Sequence, residues 1–219
     1  LRQPDSCSDR FVQNYLKAIG KSAQIVAQQS YPSVSLRFDD SFICPPLEMS
    51  HCNDRELRTD LQTMNLPYWD IDTSIRSLDM YGKNGLLVLG ERGSGKTTLL
   101  RYLLSRFALE SCENWGIPEG IVPVFLHANE IPSGNIEVQT LDRLIEQALR
   151  KQEHGEVAEK IASGTVRVLV LFDGLDESSR SPEEIGHWLK REITRLQESR
   201  DWRYVVTCRG GLCNGKTCL

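Results

Sequence analysis

The sequence predicts an α/β fold, a three-layer sandwich in which helices cover both faces of a parallel sheet of about four core strands. Three observations predict it. From residue 85 onward, short apolar runs alternate with longer stretches of helical periodicity, as in chains built from β-α-β units. A glycine-rich segment joins the first strand to the first helix, and a later apolar strand ends in a cluster of acids. Parallel sheets bind ligands at the carboxyl ends of their strands, so both segments are candidates for a functional site.

The residues before this alternation carry weaker signals. Apolar residues recur at helical spacing between 9 and 29 and predict an amphipathic helix. Its apolar face consists of Val12, Leu16, Ile19, Ala23 and Val26. Alternation at 34–38 predicts a short strand, and apolar residues spaced at about one helical turn predict a second helix at 70–81. We therefore divide the chain into an N-terminal helical and extended segment of unknown role, at 1–60, and an α/β domain at 70–219.

The first strand of the α/β domain is predicted near residue 86. Strands are predicted at 86–90, 121–127, 166–172 and 203–207, and helices at 95–110, 137–152 and 182–199. The second of these helices should bury Val138, Leu141, Leu144, Ile145, Ala148 and Leu149, and the third should bury Ile185, Trp188, Leu189, Ile193 and Leu196. Each helix is long enough to return the chain to the start of the sheet, as a parallel arrangement requires.

Composition limits the classes of function. The chain has 219 residues, 40% hydrophobic and 26% charged, with a formal net charge of -4. Basic residues are interspersed with acidic ones, which argues against nucleic-acid binding. No segment approaches the roughly 20 apolar residues of a membrane span, and no signal-peptide pattern opens the chain. We therefore expect a cytoplasmic protein.

The seven cysteines do not indicate a metal site. An odd number without a secretory signal favours reduced thiols. Cys208, Cys213 and Cys218 recur every five residues, but this spacing is unlike that of zinc sites and no histidine lies nearby. The four histidines are scattered, and we expect them to have surface or packing roles.

The strongest motif is the glycine-rich segment, which fits the phosphate-binding pattern G-x-x-x-x-G-K-[ST]. Its residues are Gly90, Glu91, Arg92, Gly93, Ser94, Gly95, Lys96, Thr97 and Thr98. The preceding apolar run is typical of a buried parallel strand, and a helix is predicted to follow. Glycines let the loop close around phosphate, and its N–H groups and the helix N-terminus attract the anion. Lys96 would reach the β- and γ-phosphates, and Thr97 would bind Mg²⁺.

A second motif is the acidic run that ends the strand at 166–172. Asp173 is predicted to hold Mg²⁺ directly or through water, as the acid that ends a buried strand beside the phosphate loop. Of the acids that follow, Glu177 is our first candidate to orient an attacking water and Asp176 our second. The alternative is an acidic helix-capping turn, since Asp and Glu are common after strands, and the phosphate loop earlier in the chain argues against it.

The last predicted strand is followed by Arg209. If this strand lies between the phosphate-loop strand and the acidic strand, Arg209 faces the terminal phosphate and can sense or stabilise its charge. The alternative is an arginine paired with an acid at the sheet edge.

These motifs resemble those of NACHT domains, which belong to the STAND class of P-loop NTPases. The phosphate loop, the run from Phe172 to Glu177 and the segment from Val205 to Arg209 carry the resemblance, and the Asp-Gly-Leu-Asp-Glu form is its most specific part. It covers about 70–209 and is similar to bacterial NACHT proteins in order and spacing. The resemblance implies an ATP/ADP- and Mg²⁺-dependent switch in signalling, innate immunity or antiphage defence. It also implies self-association or a signalling partner protein.

Two departures from the family pattern qualify the resemblance. Gly210 stands where the family usually has proline, and the last ten residues resemble no continuation of the family fold. We therefore expect a NACHT module that is truncated after the sensor strand. Slow ATP hydrolysis is one interpretation of it, and a non-enzymatic interaction or decoy protein with weak nucleotide binding is another. A different P-loop ATPase or kinase is a third, and the residues alone do not separate ATP from GTP.

Overall fold

A computed structural model describes residues 10–30, 85–109, 121–131, 136, 139–199 and 202–209. The strands are β1 (Gly85–Leu89), β2 (Ile121–His127), β3 (Arg167–Asp173) and β4 (Arg203–Cys208). The helices are α1 (Arg10–Ser30), α2 (Lys96–Leu109), α3 (Leu141–Lys151), α4 (Gly155–Ala162) and α5 (Pro182–Ser199). Short 3-10 turns follow β2 at Ala128–Glu130 and β3 at Leu175–Glu177. The strand predicted at 34–38 and the helix predicted at 70–81 lie outside the described residues.

The four described strands form one parallel sheet in the order β1-β4-β3-β2. The last strand in sequence therefore lies between the first and the third. Val88 pairs with Thr207 across β1 and β4, and His127 pairs with Asp173 across β2 and β3. Because all strands run the same way, the loop after β1, the acidic run after β3 and Arg209 after β4 all follow the strands at the same edge of the sheet. This confirms the predicted α/β fold and the strand order on which the placement of Arg209 depended.

Alternate side chains of the strands enter two hydrophobic cores on opposite faces of the sheet. One core joins α2 to the sheet through Val88, Leu99, Leu100, Leu103, Phe107, Leu169, Leu171 and Val205. The other joins α3, α4 and α5 to the sheet and includes Val168, Val170, Phe172, Leu144, Ile145, Ile161, Trp188 and Val206. Full burial of one such side chain stabilises the fold by about 1.5–3 kcal/mol relative to exposure. The helices therefore hold the strand ends in place from both sides.

The N-terminal helix α1 packs against α2 and alongside β2. Of the predicted apolar face, Val12, Ile19 and Ala23 are buried and Leu16 is half-buried, which confirms the face over the part whose side chains are described. Tyr15, which was not predicted to belong to this face, is buried as well. The Tyr15 hydroxyl donates to the Pro123 carbonyl oxygen at 2.8 Å. Burial raises the pKa of this phenol, so the hydroxyl remains a neutral donor. Although its sequence carries no recognised motif, α1 is thus hydrogen-bonded to β2, one of the two edge strands of the described sheet.

The predicted burial of β1 is wrong for most of its residues. Only Val88 is buried, and Leu89 is 38% exposed. The reason is position, because β1 is an edge strand in the described sheet and pairs with β4 alone. An apolar run does not by itself distinguish an edge strand from a central one.

The segment around α3 differs from the prediction at both ends. The helix begins at Leu141 rather than at 137, because Thr140 has the extended backbone of an N-cap. Just before it, Trp188 Nε1 donates to the Gln139 carbonyl oxygen at 2.8 Å. After α3 the chain turns at Glu153, whose φ of 65° is left-handed, and forms the unpredicted helix α4. Its eight residues are too few to give a clear periodicity.

A buried carboxylate joins α3 to α5. Glu192 is almost fully buried, and its Oε2 accepts from the Leu141 N–H at 3.1 Å and from Arg195 Nη2 at 2.8 Å. The same Arg195 nitrogen donates to Asp142 at 2.8 Å. Burial pushes the pKa of Asp142 up, but the hydrogen bond from Thr140 and the Arg195 charge outweigh it and hold that pKa below its ordinary value. Glu192 thereby satisfies an N–H that the first turn of α3 leaves unpaired.

Replacement of Glu192 should therefore destabilise the protein. In Glu192→Ala the Leu141 N–H loses its acceptor and Arg195 loses a buried partner, which costs about 1–3 kcal/mol in free energy of unfolding. Urea denaturation followed by circular dichroism measures this loss. The control is Lys190→Ala, an exposed change on the same helix that should stay within about 0.5 kcal/mol of the parent. Equal stability of the two variants would contradict the role of Glu192.

Candidate functional site

The glycine-rich segment forms a tight loop between β1 and α2. Gly93 and Gly95 have φ angles of 81° and 88°, a left-handed region that side chains with a Cβ resist. Gly90 meets a different constraint, since a Cβ there would lie 2.5 Å from Ser94 Oγ. The Ser94 N–H donates to the Glu91 carbonyl oxygen at 3.1 Å, and the Gly90 N–H to the Cys208 carbonyl oxygen at 3.2 Å. The loop is therefore closed on itself and tied to the end of β4.

Lys96, the first residue of α2, lies across the loop. Its Nζ donates to the carbonyl oxygens of Gly90 at 2.6 Å and Glu91 at 2.8 Å. Thr97 follows it and is half-buried. The remaining side chains of the motif are exposed, namely those of Glu91, Arg92, Ser94 and Thr98. The ammonium group thus lies at the loop, where the motif predicts a phosphate.

Asp173, the last residue of β3, is held by a buried threonine of the neighbouring strand. The Thr207 hydroxyl donates to Asp173 Oδ1 at 2.7 Å and accepts from the Gly174 N–H at 2.9 Å. This pair fixes the plane of the carboxylate. The sequence analysis did not identify Thr207, although a hydroxyl near the end of an otherwise apolar strand was a usable signal.

The other oxygen of Asp173, Oδ2, has no hydrogen-bond partner within the described part of the chain, and the residue is only 2% exposed. Buried polar atoms are normally paired, so such an oxygen calls for an explanation. A cation at Oδ2 would provide one. The oxygen donors of Asp173 and Thr97 are of the kind that Mg²⁺ prefers, so these residues fit the predicted ion.

A glycine turn carries the acids that follow Asp173. Gly174 has a φ of 69°, and its carbonyl oxygen accepts from the Glu177 N–H at 2.7 Å. A Cβ at this position would also lie 3.1 Å from Glu177 Cγ. The turn buries Leu175 and leaves the Glu177 side chain 49% exposed. The left-handed φ therefore favours glycine where the sequence has Asp-Gly-Leu-Asp-Glu, and a side chain there would also crowd Glu177.

Asp176 and Arg209 bind each other. Arg209 Nε lies 2.8 Å from Asp176 Oδ2, and the Arg209 N–H donates to Asp176 Oδ1 at 3.0 Å. The Asp176 side chain is almost fully buried and that of Arg209 is partly exposed. This is the arrangement of our alternative interpretation, an arginine paired with an acid at the sheet edge. It also leaves Glu177, rather than Asp176, as the more accessible carboxylate.

His127 belongs to this site, although we had expected surface or packing roles for the histidines. As the last residue of β2 it lies beside Asp173 in the sheet register. Its Nε2 is 3.4 Å from Glu177 Oε2 and 3.9 Å from Asp173 Oδ2. The available signal was its place at the end of an apolar strand, which brings a polar side chain to the ligand-binding edge.

The described residues contain no group of three or more His, Cys, Asp or Glu side chains arranged to hold a metal ion. Cys208 is buried in β4, and the other two cysteines of its series lie outside the described residues. Among the helices that are described, none has the length and apolar character to cross a membrane.

Comparison with known proteins agrees with the geometry. The family model described as NACHT domain matches residues 85–211, more than half of the chain. The match starts at the first residue of β1 and includes the phosphate loop, the acidic run and Arg209. The family implies a P-loop NTPase module. No curated protein matches the chain significantly.

Loss of the Thr207 hydroxyl should destabilise the site. In Thr207→Val the Gly174 N–H and Asp173 Oδ1 both lose their partner, at a cost of about 1–3 kcal/mol in free energy of unfolding. Thr207→Ser is the matched control, because it keeps the hydroxyl and removes one methyl group, worth about 0.8 kcal/mol. Chemical denaturation compares the two. If the valine variant is as stable as the serine variant, the hydroxyl does not hold the carboxylate.

Proposed function

We propose, since the chain belongs to the NACHT domain family, that it binds ATP with Mg²⁺ as the nucleotide module of a signalling or defence switch. We further propose that it hydrolyses ATP slowly. The observation that carries the proposal is the buried Oδ2 of Asp173, which has no hydrogen-bond partner among the described residues and lies at the same edge of the sheet as the glycine loop. A loop that can bind phosphate and a carboxylate that can bind a cation are the two parts that a site for a metal-bound nucleoside triphosphate needs.

The glycine loop would bind the phosphates. The positive φ angles of Gly93 and Gly95 would let backbone N–H groups turn toward a bound phosphate, and the N-terminus of α2 would add positive partial charge. Lys96 would exchange its two carbonyl partners for the β- and γ-phosphate oxygens. This exchange replaces neutral acceptors by charged ones, which form stronger hydrogen bonds.

Thr97 and Asp173 would hold the Mg²⁺. Thr97 offers a hydroxyl at the start of α2, and Asp173 offers the oxygen that Thr207 does not engage. When bound there, Mg²⁺ neutralises charge that develops on the phosphates. The buried threonine keeps the carboxylate in one orientation, so little freedom is lost on binding.

Glu177 would orient the attacking water, and Arg209 would stabilise charge on the terminal phosphate. Glu177 is exposed toward solvent on the turn after Asp173, whereas Asp176 is engaged by Arg209. Asp176 therefore holds the arginine at the sheet edge rather than acting on water. The family resemblance is also the ground on which we propose ATP rather than GTP, self-association or a signalling partner, and a cytoplasmic location.

Binding of labelled ATP with Mg²⁺ tests the proposal directly. Lys96→Ala should raise the Kd about 10- to 100-fold, because an ionic hydrogen bond to phosphate is worth about 1.5–3 kcal/mol. Lys151→Ala removes an exposed lysine on α3 and should leave the Kd unchanged. A Lys96→Ala variant that binds ATP as well as the parent would refute the nucleotide site.

Measurement of phosphate release from ATP tests the proposed hydrolysis. Glu177→Gln should bind ATP normally and lose turnover on the order of 100-fold, as general-base groups commonly contribute. A parent protein that binds ATP and shows no phosphate release would overturn the hydrolytic part alone. That outcome would favour the non-enzymatic interpretation. Competition by GTP at equal strength would overturn the preference for ATP.

A further inference from the structure

The imidazole of His127 has one nitrogen fixed by the backbone and the other turned to the acids. Its Nδ1 accepts from the Asn129 N–H at 3.4 Å, and the His127 N–H donates to Glu130 Oε2 at 3.3 Å. An Nδ1 that accepts carries no proton, so the neutral ring has its proton on Nε2. The 3-10 turn after β2 thus sets both the orientation and the tautomer of the ring.

The other ring nitrogen, Nε2, lies within ion-pair distance of two carboxylates. Glu177 Oε2 is the nearer at 3.4 Å, and Asp173 Oδ2 lies at 3.9 Å. Asp173 is already fixed by Thr207, but the Glu177 side chain is half-exposed. The described contacts of the Glu177 carboxylate include His127 and no other side chain. The position of the imidazole therefore favours one rotamer of the Glu177 side chain.

We propose that His127 is a positioning residue that holds the Glu177 carboxylate beside Asp173. This inference rests on the proposed function for its consequence, because a carboxylate that activates water must be placed within about 3 Å of it. Misplacement of a reacting group by about 1 Å can cost as much as 100-fold in rate. His127 itself touches neither nucleotide nor water in this role and acts only through Glu177.

The competing explanation is that His127 only caps the 3-10 turn. Two substitutions separate the roles, because asparagine can place an acceptor near Nδ1 and glutamine can place a donor near Nε2. His127→Asn should keep the cap and lose the contact with Glu177. His127→Gln should lose the cap and keep the contact. If His127 positions Glu177, His127→Asn should be the more damaging variant. If His127 only caps the turn, His127→Gln should be the more damaging one.

Steady-state kinetics provides the first test. We expect His127→Asn to lower kcat about 10-fold with KM unchanged, and His127→Gln to retain most of the activity. In the Glu177→Gln background, His127→Asn should have no further effect, because the group that it positions is already altered. An unchanged kcat, a raised KM or additive losses would each overturn the inference.

A spectroscopic test does not depend on turnover and therefore separates this inference from the proposed hydrolysis. In protein labelled with ¹⁵N-histidine at about pH 8, where an ordinary imidazole is neutral, His127 should show the Nε2–H tautomer. Glu177→Gln should shift its Nε2 resonance and leave those of His154 and His187 in place. An Nδ1–H tautomer of His127, or an Nε2 resonance that does not shift in Glu177→Gln, would refute the contact even if ATP is hydrolysed. If the expected shift is seen but the protein does not hydrolyse ATP, the shift supports the contact, and the missing turnover refutes only the proposed hydrolysis.

Discussion

The carboxylate of Asp173 is the group on which the rest of the site depends. One oxygen is bonded to a buried threonine of the adjacent strand, and the other is buried without a described partner. A buried anionic oxygen in this state is costly unless a cation or donor reaches it. The strand order β1-β4-β3-β2 places Thr207 of β4 on one side of Asp173 and His127 of β2 on the other, where its Nε2 lies 3.9 Å from Oδ2.

The same strand order explains why the site is built from distant parts of the sequence. The insertion of β4 between β1 and β3 ties the loop to β4 through Gly90, and ties β4 to the acidic turn through Thr207 and Arg209. On the far side of β3, β2 contributes His127. Each side chain follows or ends a strand, so the rigid sheet sets their spacing while helices packed on both faces prevent the strands from shifting.

Much of this arrangement could be predicted from the sequence, because local chemistry determines it. The strand at 121–127 and the helix at 182–199 have the predicted bounds, and the phosphate loop and Asp173 carry motifs that strand and helix context supports. Contacts between strands could not be predicted in this way. The Asp176–Arg209 pair, the Thr207 bond and the place of His127 depend on which strands are neighbours, and periodicity does not report this. The half-exposed β1 was missed for the same reason.

The central claim is that Asp173 contributes to a Mg²⁺ site shared with a nucleotide, and the metal dependence of ATP binding tests it most directly. The Kd for ATP should be measured with Mg²⁺ and with a chelator, in the parent protein and in Asp173→Asn, which keeps an acceptor for Thr207. We expect Mg²⁺ to tighten ATP binding in the parent and to do so much less in Asp173→Asn. An equal effect of Mg²⁺ in both proteins would contradict it.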